Sequence, residues 1–405
     1  MDSQSHPPQR TPPRLLTLIL LTGVSILSLN MFVPSLVNIA VDLDADYTLV
    51  SLAIAGYLAV TAVLQIVIGP LSDRYGRRPV LLGGIALFTA ASLGCLLAET
   101  VWTFLFFRMM QAAIVAGGAL SRVVVRDMVP PKQAASLLGY LAMAMAVAPM
   151  LGPMVGGLLD ELFGWRSSFL AFALMGMALF ALTWIDLGET NRNPSQTFGS
   201  QARSYPVLLR SRRFWGYAGC MAFSTGAFFA FIAGAPLVAT ALFQTSPGTL
   251  GIYVGSITGG FFVGSFAAAR VAKRFELDTT MLAGRIVACS GLAVGLMLFA
   301  GGVVHELALF GSTIFVGLGN GITMPASNVG AMSVRSDLAG TASGLAGALT
   351  MGGGALVTWI AGVVVTEETG AMALLGLMFV TSFLGLASAW WVHALNRQAK
   401  SREAS

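Results

Sequence analysis

Charge is scarce in this chain of 405 residues: Asp, Glu, Lys and Arg together supply 10% of it, as 23 basic and 18 acidic residues. Soluble domains carry about 25%, so a water-facing globule is excluded. A disordered chain is excluded by the 56% of apolar residues. Cysteine is scarcer still. Cys95, Cys220 and Cys289 stand far apart inside apolar runs, which points to small buried hydrophobes rather than a disulfide framework or a metal cluster. There are three histidines, and the grouped acids Asp42, Asp44 and Asp46 have none beside them. A membrane enzyme needs a catalytic acid, base or metal set, so no enzyme, catalytic residue, metal or cofactor is expected. The net charge of +5 comes from basic residues in short loops, where it reports orientation, and no nucleic-acid partner is expected.

What the chain has in abundance is long apolar stretches, with 47 glycines and a mean hydropathy of +0.79. At about 34 residues for a span and its loop, this length holds roughly twelve spans. They fall near 15–37, 47–69, 80–98, 102–125, 134–158, 167–187, 214–239, 249–269, 280–303, 307–332, 340–364 and 371–393. The expected fold is an all-α membrane protein of two six-helix bundles, with the lipid bilayer as its first partner. Arg10 and Arg14 before the first run imitate a signal peptide, but no convincing A-x-A site closes that run and many more spans follow, so the run reads as an uncleaved helix.

Basic residues accumulate on the side of the termini, at Arg74, Arg77, Arg78, Lys132, Arg192–Arg213, Arg270, Lys273, Arg274, Arg335 and Arg397–Arg402, while Arg166 falls opposite. The positive-inside rule then makes both termini cytoplasmic. The polar, breaker-rich stretch 188–212 divides the chain. We therefore expect a tail over 1–14, one bundle over 15–187, a cytoplasmic linker over 188–212, a second bundle over 213–393 and a tail over 394–405. An internal repeat supports the division: Pro34 in Val33-Pro34-Ser35-Leu36 recurs as Pro236 in Ala235-Pro236-Leu237-Val238 at an offset of about 202 residues. At that offset Gly152-Pro153 meets Gly352-Gly353-Gly354, which predicts helix breaks in the same place. Matched breakers in two halves mark a transporter with its site between repeats.

The most specific motif is Gly69-Pro70-Leu71-Ser72-Asp73-Arg74-Tyr75-Gly76-Arg77-Arg78. It resembles the loop 2–3 signature of the major facilitator superfamily, with every signature position filled. Asp73 can face a helix N-terminus and Arg77 can bridge to an acid on a neighbouring span. The expected conformational latch comprises Gly69, Asp73, Arg74, Gly76, Arg77, Arg78 and Asp127, with Asp337–Thr341 at the start of span 11 as the partner across the halves. Arg108 and Gln111 resemble the span 4 R-x-x-Q-G pattern, with Ala112 in place of the glycine. Pro149, Gly152, Pro153, Gly156 and Gly157 resemble the span 5 antiporter signature, whose content is close packing and a bendable backbone.

Asn30-Met31-Phe32-Val33-Pro34 is similar to the D-M-Y-L-P of the bicyclomycin and chloramphenicol resistance (Bcr/CflA) drug:proton antiporters. So are Arg122–Asp127, Trp165-Arg166, Ala233–Pro236, Asn328 and Ala339–Ser343. The resemblance, over about 15–393, implies a bacterial inner-membrane protein that exports small, largely apolar molecules against protons. One departure stands out: Asn30 occupies the position of the branch's span 1 aspartate, and an amide does not titrate. Export or facilitation of an anionic or polar metabolite with other ion coupling is therefore the alternative. A monomer is expected. The candidate substrate contacts are Asn30, Met31, Tyr57, Arg108, Gln111, Phe228, Phe231 and Asn328. Arg122, Arg126 and Arg285 are expected to snorkel or brace loops, and His305 and His393 to form no constellation.

Overall fold

The computed structural model describes residues 14–129, 131–191, 205–271, 274–335, 338–367 and 370–403. Among them every regular element is a helix. Eleven are long and apolar enough to cross a membrane, and with Pro131–Phe163 they make twelve spans. Spans 1–6 are Leu15–Asp42, Tyr47–Tyr75, Arg77–Leu96, Val101–Met128, Pro131–Phe163 and Arg166–Asp186. Spans 7–12 are Arg212–Phe243, Pro247–Val271, Leu277–Ala300, Glu306–Ser333, Ala339–Val364 and Gly370–Glu403. Within the stretch expected as linker, residues 205–209 are helical and Leu208 is buried. The last helix runs on past residue 393, through part of the expected tail, to Glu403.

Lipid is as apolar as the side chains, so spans associate through close packing and hydrogen bonds rather than through hydrophobic exclusion. In the first half an aromatic cluster packs the end opposite the termini, where Phe169 meets Phe32, Phe104, Trp165 and Phe172 at centroid distances of 5.4–5.9 Å. The second half uses smaller contacts. Gly284 of span 9 and Gly319 of span 10 bring their backbones together, and a methyl at either would press on the facing carbonyl.

Proline acts differently in the two halves. At Pro34 span 1 is broken, with a 3-10 turn over Val33–Ser35 between helices Leu15–Asn30 and Leu36–Asp42. Pro236 lies inside an unbroken span 7. The predicted breaks at Gly152-Pro153 and Gly352–Gly354 do not occur either, because spans 5 and 11 run through them as helix. These glycines serve close approach instead: a Cβ at Gly354 would strike the Phe229 ring, and one at Gly156 would land on the Met31 carbonyl.

Span 4 is interrupted by a 3-10 stretch over Gln111–Ile114, and a side chain from span 1 packs where the α-helix resumes at Val115. The Ser25 hydroxyl lies 2.6 Å from the Ile114 carbonyl and 2.7 Å from that of Leu21 on its own span, and it accepts from the Gly118 amide at 3.1 Å. It thus binds backbone polar groups at the start of the resumed helix.

The halves meet through span 2 on span 11 and span 5 on span 8. On the side opposite the termini the Tyr47 hydroxyl donates to the Ala233 carbonyl at 2.5 Å, and Thr48 donates to that of Gly362 at 2.8 Å. Glu161, at the end of span 5, accepts from the Gly248 amide at 3.1 Å and Ser246 at 3.3 Å, capping the start of span 8. Deeper along the same pair, Gly157 abuts the Pro247 carbonyl, Gly251 that of Pro153 and Gly255 that of Met150. No side chain larger than hydrogen fits at these crossings.

Candidate functional site

Between the halves lies a cavity of two joined lobes that share Leu29, Met145 and Met351. The first lobe, about 240 Å³, belongs to spans 1, 2 and 4 and carries Thr22, Ser25, Tyr57, Thr61, Gln65 and Arg122. The second, about 270 Å³, is lined by Asn30, Phe228, Phe229, Phe261, Asn320 and Met324 among others. Thr22 and Arg122 lie well toward the side of the termini in their spans, so the cavity reaches from the closed crossing of spans 5 and 8 toward that side.

Each lobe is backed by a buried arginine. Arg108, 0% exposed, is held between two rings, with its guanidinium 4.2 Å from the centroid of Phe32 and 4.4 Å from that of Tyr57. It donates to the Gln111 amide oxygen at 2.6 Å and to the Ser28 carbonyl at 2.7 Å, while Gln111 donates onward to Ser92 at 2.7 Å. Spans 1, 3 and 4 are thereby tied. In the second half Arg285, also 0% exposed, donates to the Asn320 oxygen at 2.5 Å and to Thr323 at 3.1 Å. Asn320 in turn donates to the Ser224 carbonyl at 3.0 Å, tying spans 7, 9 and 10. The same triangle of spans recurs, with the cation moved from the fourth helix of its bundle to the third.

Of the sequence candidates, Asn30, Tyr57 and Phe228 line the cavity. Asn30 is 3% exposed; its amide donates to the Ile26 carbonyl at 3.1 Å and its oxygen has no partner. Arg108 and Gln111 stand behind the wall. Met31 is buried against Gly156, and Phe231 packs edge-on against Phe310 at 6.0 Å. Asn328 is half-buried on span 10 and does not border either lobe. The expectation that Arg285 snorkels is overturned: it is wholly enclosed, with Thr323 and Asn320 accepting from its Nε and Nη2 inside the bundle. His393 also has a constellation, since its Nδ1 lies 3.0 Å from Asp278, which Asn396 also approaches at 3.4 Å. Sequence reading missed Thr61, Gln65 and Asn320. Tyr57, Thr61 and Gln65 recur at every fourth residue, a one-face spacing that could have disclosed them.

The loop 2–3 motif forms a cluster within the first half. Arg77 pairs with Asp73, lies 3.3 Å from Asp127 and donates to the Ser72 hydroxyl at 2.6 Å. Glu189 accepts from the Arg77 and Arg78 amides at 2.9 and 3.1 Å, capping span 3. Gly76 has φ +95°, and the Glu189 carboxylate occupies the place a Cβ would take. Arg78 donates to the Trp184 carbonyl at 2.9 Å and Arg74 covers the Tyr75 ring at 5.3 Å. A Cβ at Gly69 would meet nothing within 4 Å, so no close approach requires this glycine. Asp337, the expected partner across the halves, lies outside the described residues.

The description of the Major Facilitator Superfamily matches residues 18–358. The chain belongs to that superfamily. Across the superfamily's fold, a bacterial homologue of the human lysosomal transporter Spinster, solved inward-facing and occupied, superposes with a TM-score of 0.74 at 15% identity, covering 95% of this chain and 96% of that one. A D-xylose-proton symporter superposes at 0.72 and 15% identity, over 93% and 96%. In sequence the chain is similar to the uncharacterized MFS-type transporter YdgK of Bacillus subtilis, 32% identical over 89% of this chain and 90% of that protein. It is 29% identical to multidrug resistance protein D of Escherichia coli K12, over 94% and 97%. This superfamily member is thus a multi-pass membrane transporter.

Proposed function

We propose that the chain exports small, largely apolar drugs or toxic metabolites across a bacterial inner membrane by alternating access, in exchange for protons and as a monomer. The observation that carries this reading is the two-lobed cavity at the seam of the halves, apolar apart from a few polar anchors. With the termini in the cytoplasm, the seam is closed outside and the cavity extends inward. That is the state in which an exporter loads. Relatives named as multidrug resistance proteins support a drug as cargo, as does the resemblance to the Bcr/CflA branch. They disfavour a polar metabolite.

Among the described residues no carboxylate lines either lobe, so proton exchange falls to a group off the wall. Asp160 is the carboxylate placed to sense the outer crossing: it is 5% exposed, accepts from Asn38 of span 1 at 2.7 Å and precedes Glu161, which caps span 8. When spans 5 and 8 part, Asp160 meets the outer medium. The loop 2–3 cluster would then reach the start of span 11 to close the inner side. Proton-dependent flux by the purified chain, lost in Asp160→Asn with the fold intact, is the expected result.

A further inference from the structure

Among the described residues, the charged side chains on or directly behind the cavity wall are arginines. Arg122 stands on the wall of the first lobe, Arg108 packs on the far face of Tyr57, and Arg285 holds Asn320 from behind. Among the described residues no carboxylate lines the cavity, and none pairs with these three arginines. Guanidinium stays protonated in proteins, and a weakly screened field persists in a cavity of low dielectric.

The lobes also divide polar from apolar work. In the second lobe the side-chain donors are already engaged: Asn320 is bonded at both ends, the Asn30 amide donates to the Ile26 carbonyl, Thr258 lies 3.5 Å from the Pro149 carbonyl and Thr225 donates to the Met324 sulfur, so the open polar atom there is the Asn30 oxygen, an acceptor. What that lobe presents is Phe228, Phe229, Phe261 and methionine. In the first lobe Thr22, Ser25 and Tyr57 are bonded within the protein, and the donors left for a ligand are those of Thr61, Gln65 and Arg122. The buried Thr61 hydroxyl has no hydrogen-bond partner, and Gln65 and Arg122 border the same space.

Resting on the exporter reading, we propose that the cargo is an aromatic amphipath without positive charge. Its ring system sits in the second lobe, against aromatic faces and polarisable sulfur. Its polar end, an anionic or neutral hydrogen-bond acceptor, points into the first lobe at Thr61, Gln65 and Arg122. Lipophilic cations are excluded, because nothing in the cavity neutralises them and three arginines repel them.

Tetraphenylborate and tetraphenylphosphonium, isosteric aromatic ions of opposite charge, test this. Their binding is measured on the full chain in nanodiscs of neutral lipid, with empty discs subtracted. The borate should bind at least ten-fold more tightly. Arg122→Glu should cut that ratio at least ten-fold, and Thr61→Val should weaken a neutral acceptor such as chloramphenicol without changing the ratio. Arg126→Glu, a charge change one turn away and off the cavity wall, should leave the ratio unchanged. Equal or tighter phosphonium binding, no binding of either ion, or an Arg126→Glu effect as large as that of Arg122→Glu would each overturn the inference. Export of neutral drugs without the charge preference removes this inference and leaves the exporter reading; the preference without export does the reverse.

Discussion

The guanidinium of Arg108 lies 4.4 Å from the centroid of Tyr57, and the Tyr57 hydroxyl lies 2.6 Å from that of Ser28, whose carbonyl accepts from the same arginine. A ring on the cavity wall is thus fixed by a cation behind it and a hydroxyl beside it. The burial of a charge inside a bundle is tolerable only because its donors and faces are so nearly filled.

Arg108→Gln should therefore act on both stability and transport. Two charge-assisted hydrogen bonds are lost, each worth roughly 1.5–3 kcal/mol, and Tyr57 loses its support. We expect a lower thermal midpoint in detergent and slower drug flux. Arg108→Lys should not restore either, because an ammonium cannot span Gln111 and Ser28 while stacking on two rings. Full rescue by lysine would show that charge alone matters.

Gly251→Val should pry open the side opposite the termini. Its side chain would meet the Pro153 carbonyl across the crossing of spans 5 and 8, and the cheapest relief is separation of the halves. A shift of about 1.4 kcal/mol would change the ratio of states ten-fold. Spin labels on spans 5 and 8 near Glu161 and Ser246 should report longer distances, with flux reduced. Unchanged distances in a folded variant would mean that the crossing is not the gate.

At the other side, Gly76→Ala should destabilise the loop by about 1–2 kcal/mol, through positive φ and the collision with Glu189. Glu189→Gln keeps the shape and weakens the cap on span 3, so its cost should be smaller. Thermal midpoints of the two variants, ranked in this order, check the account.

The all-α, many-span architecture was legible in the sequence because it rests on an additive quantity, hydropathy summed over a span. The repeat was legible in part. Pro34 opens span 1 whereas Pro236 leaves span 7 whole, since local composition cannot say whether tertiary partners will mend a ladder. Arg285 and His393 were misjudged for a related reason. Their partners Asn320, Thr323 and Asp278 come from other spans, tens of residues or more away, and a single sequence does not give the rotation of one helix against another. Ser25 is the clearest case, an ordinary serine by sequence whose hydroxyl binds the backbone of a neighbouring span.

Asn30→Asp would place a carboxylate on a wall that has none among the described residues. Its unpartnered oxygen already faces this region, and the new charge should raise tetraphenylphosphonium binding and add a pH dependence that the native amide cannot supply. Binding of the phosphonium measured at pH 5 and pH 8 checks this, with the gain expected at the higher pH, where the carboxylate is ionised.

The most direct measurement is chloramphenicol flux into proteoliposomes containing the purified chain. With a lumen more acidic than the medium, outward protons should drive label inward above the level of protein-free vesicles. A protonophore should abolish that excess, and Asp160→Asn should lack it. Accumulation that matches protein-free vesicles, or an excess indifferent to the gradient, would contradict proton-coupled drug export.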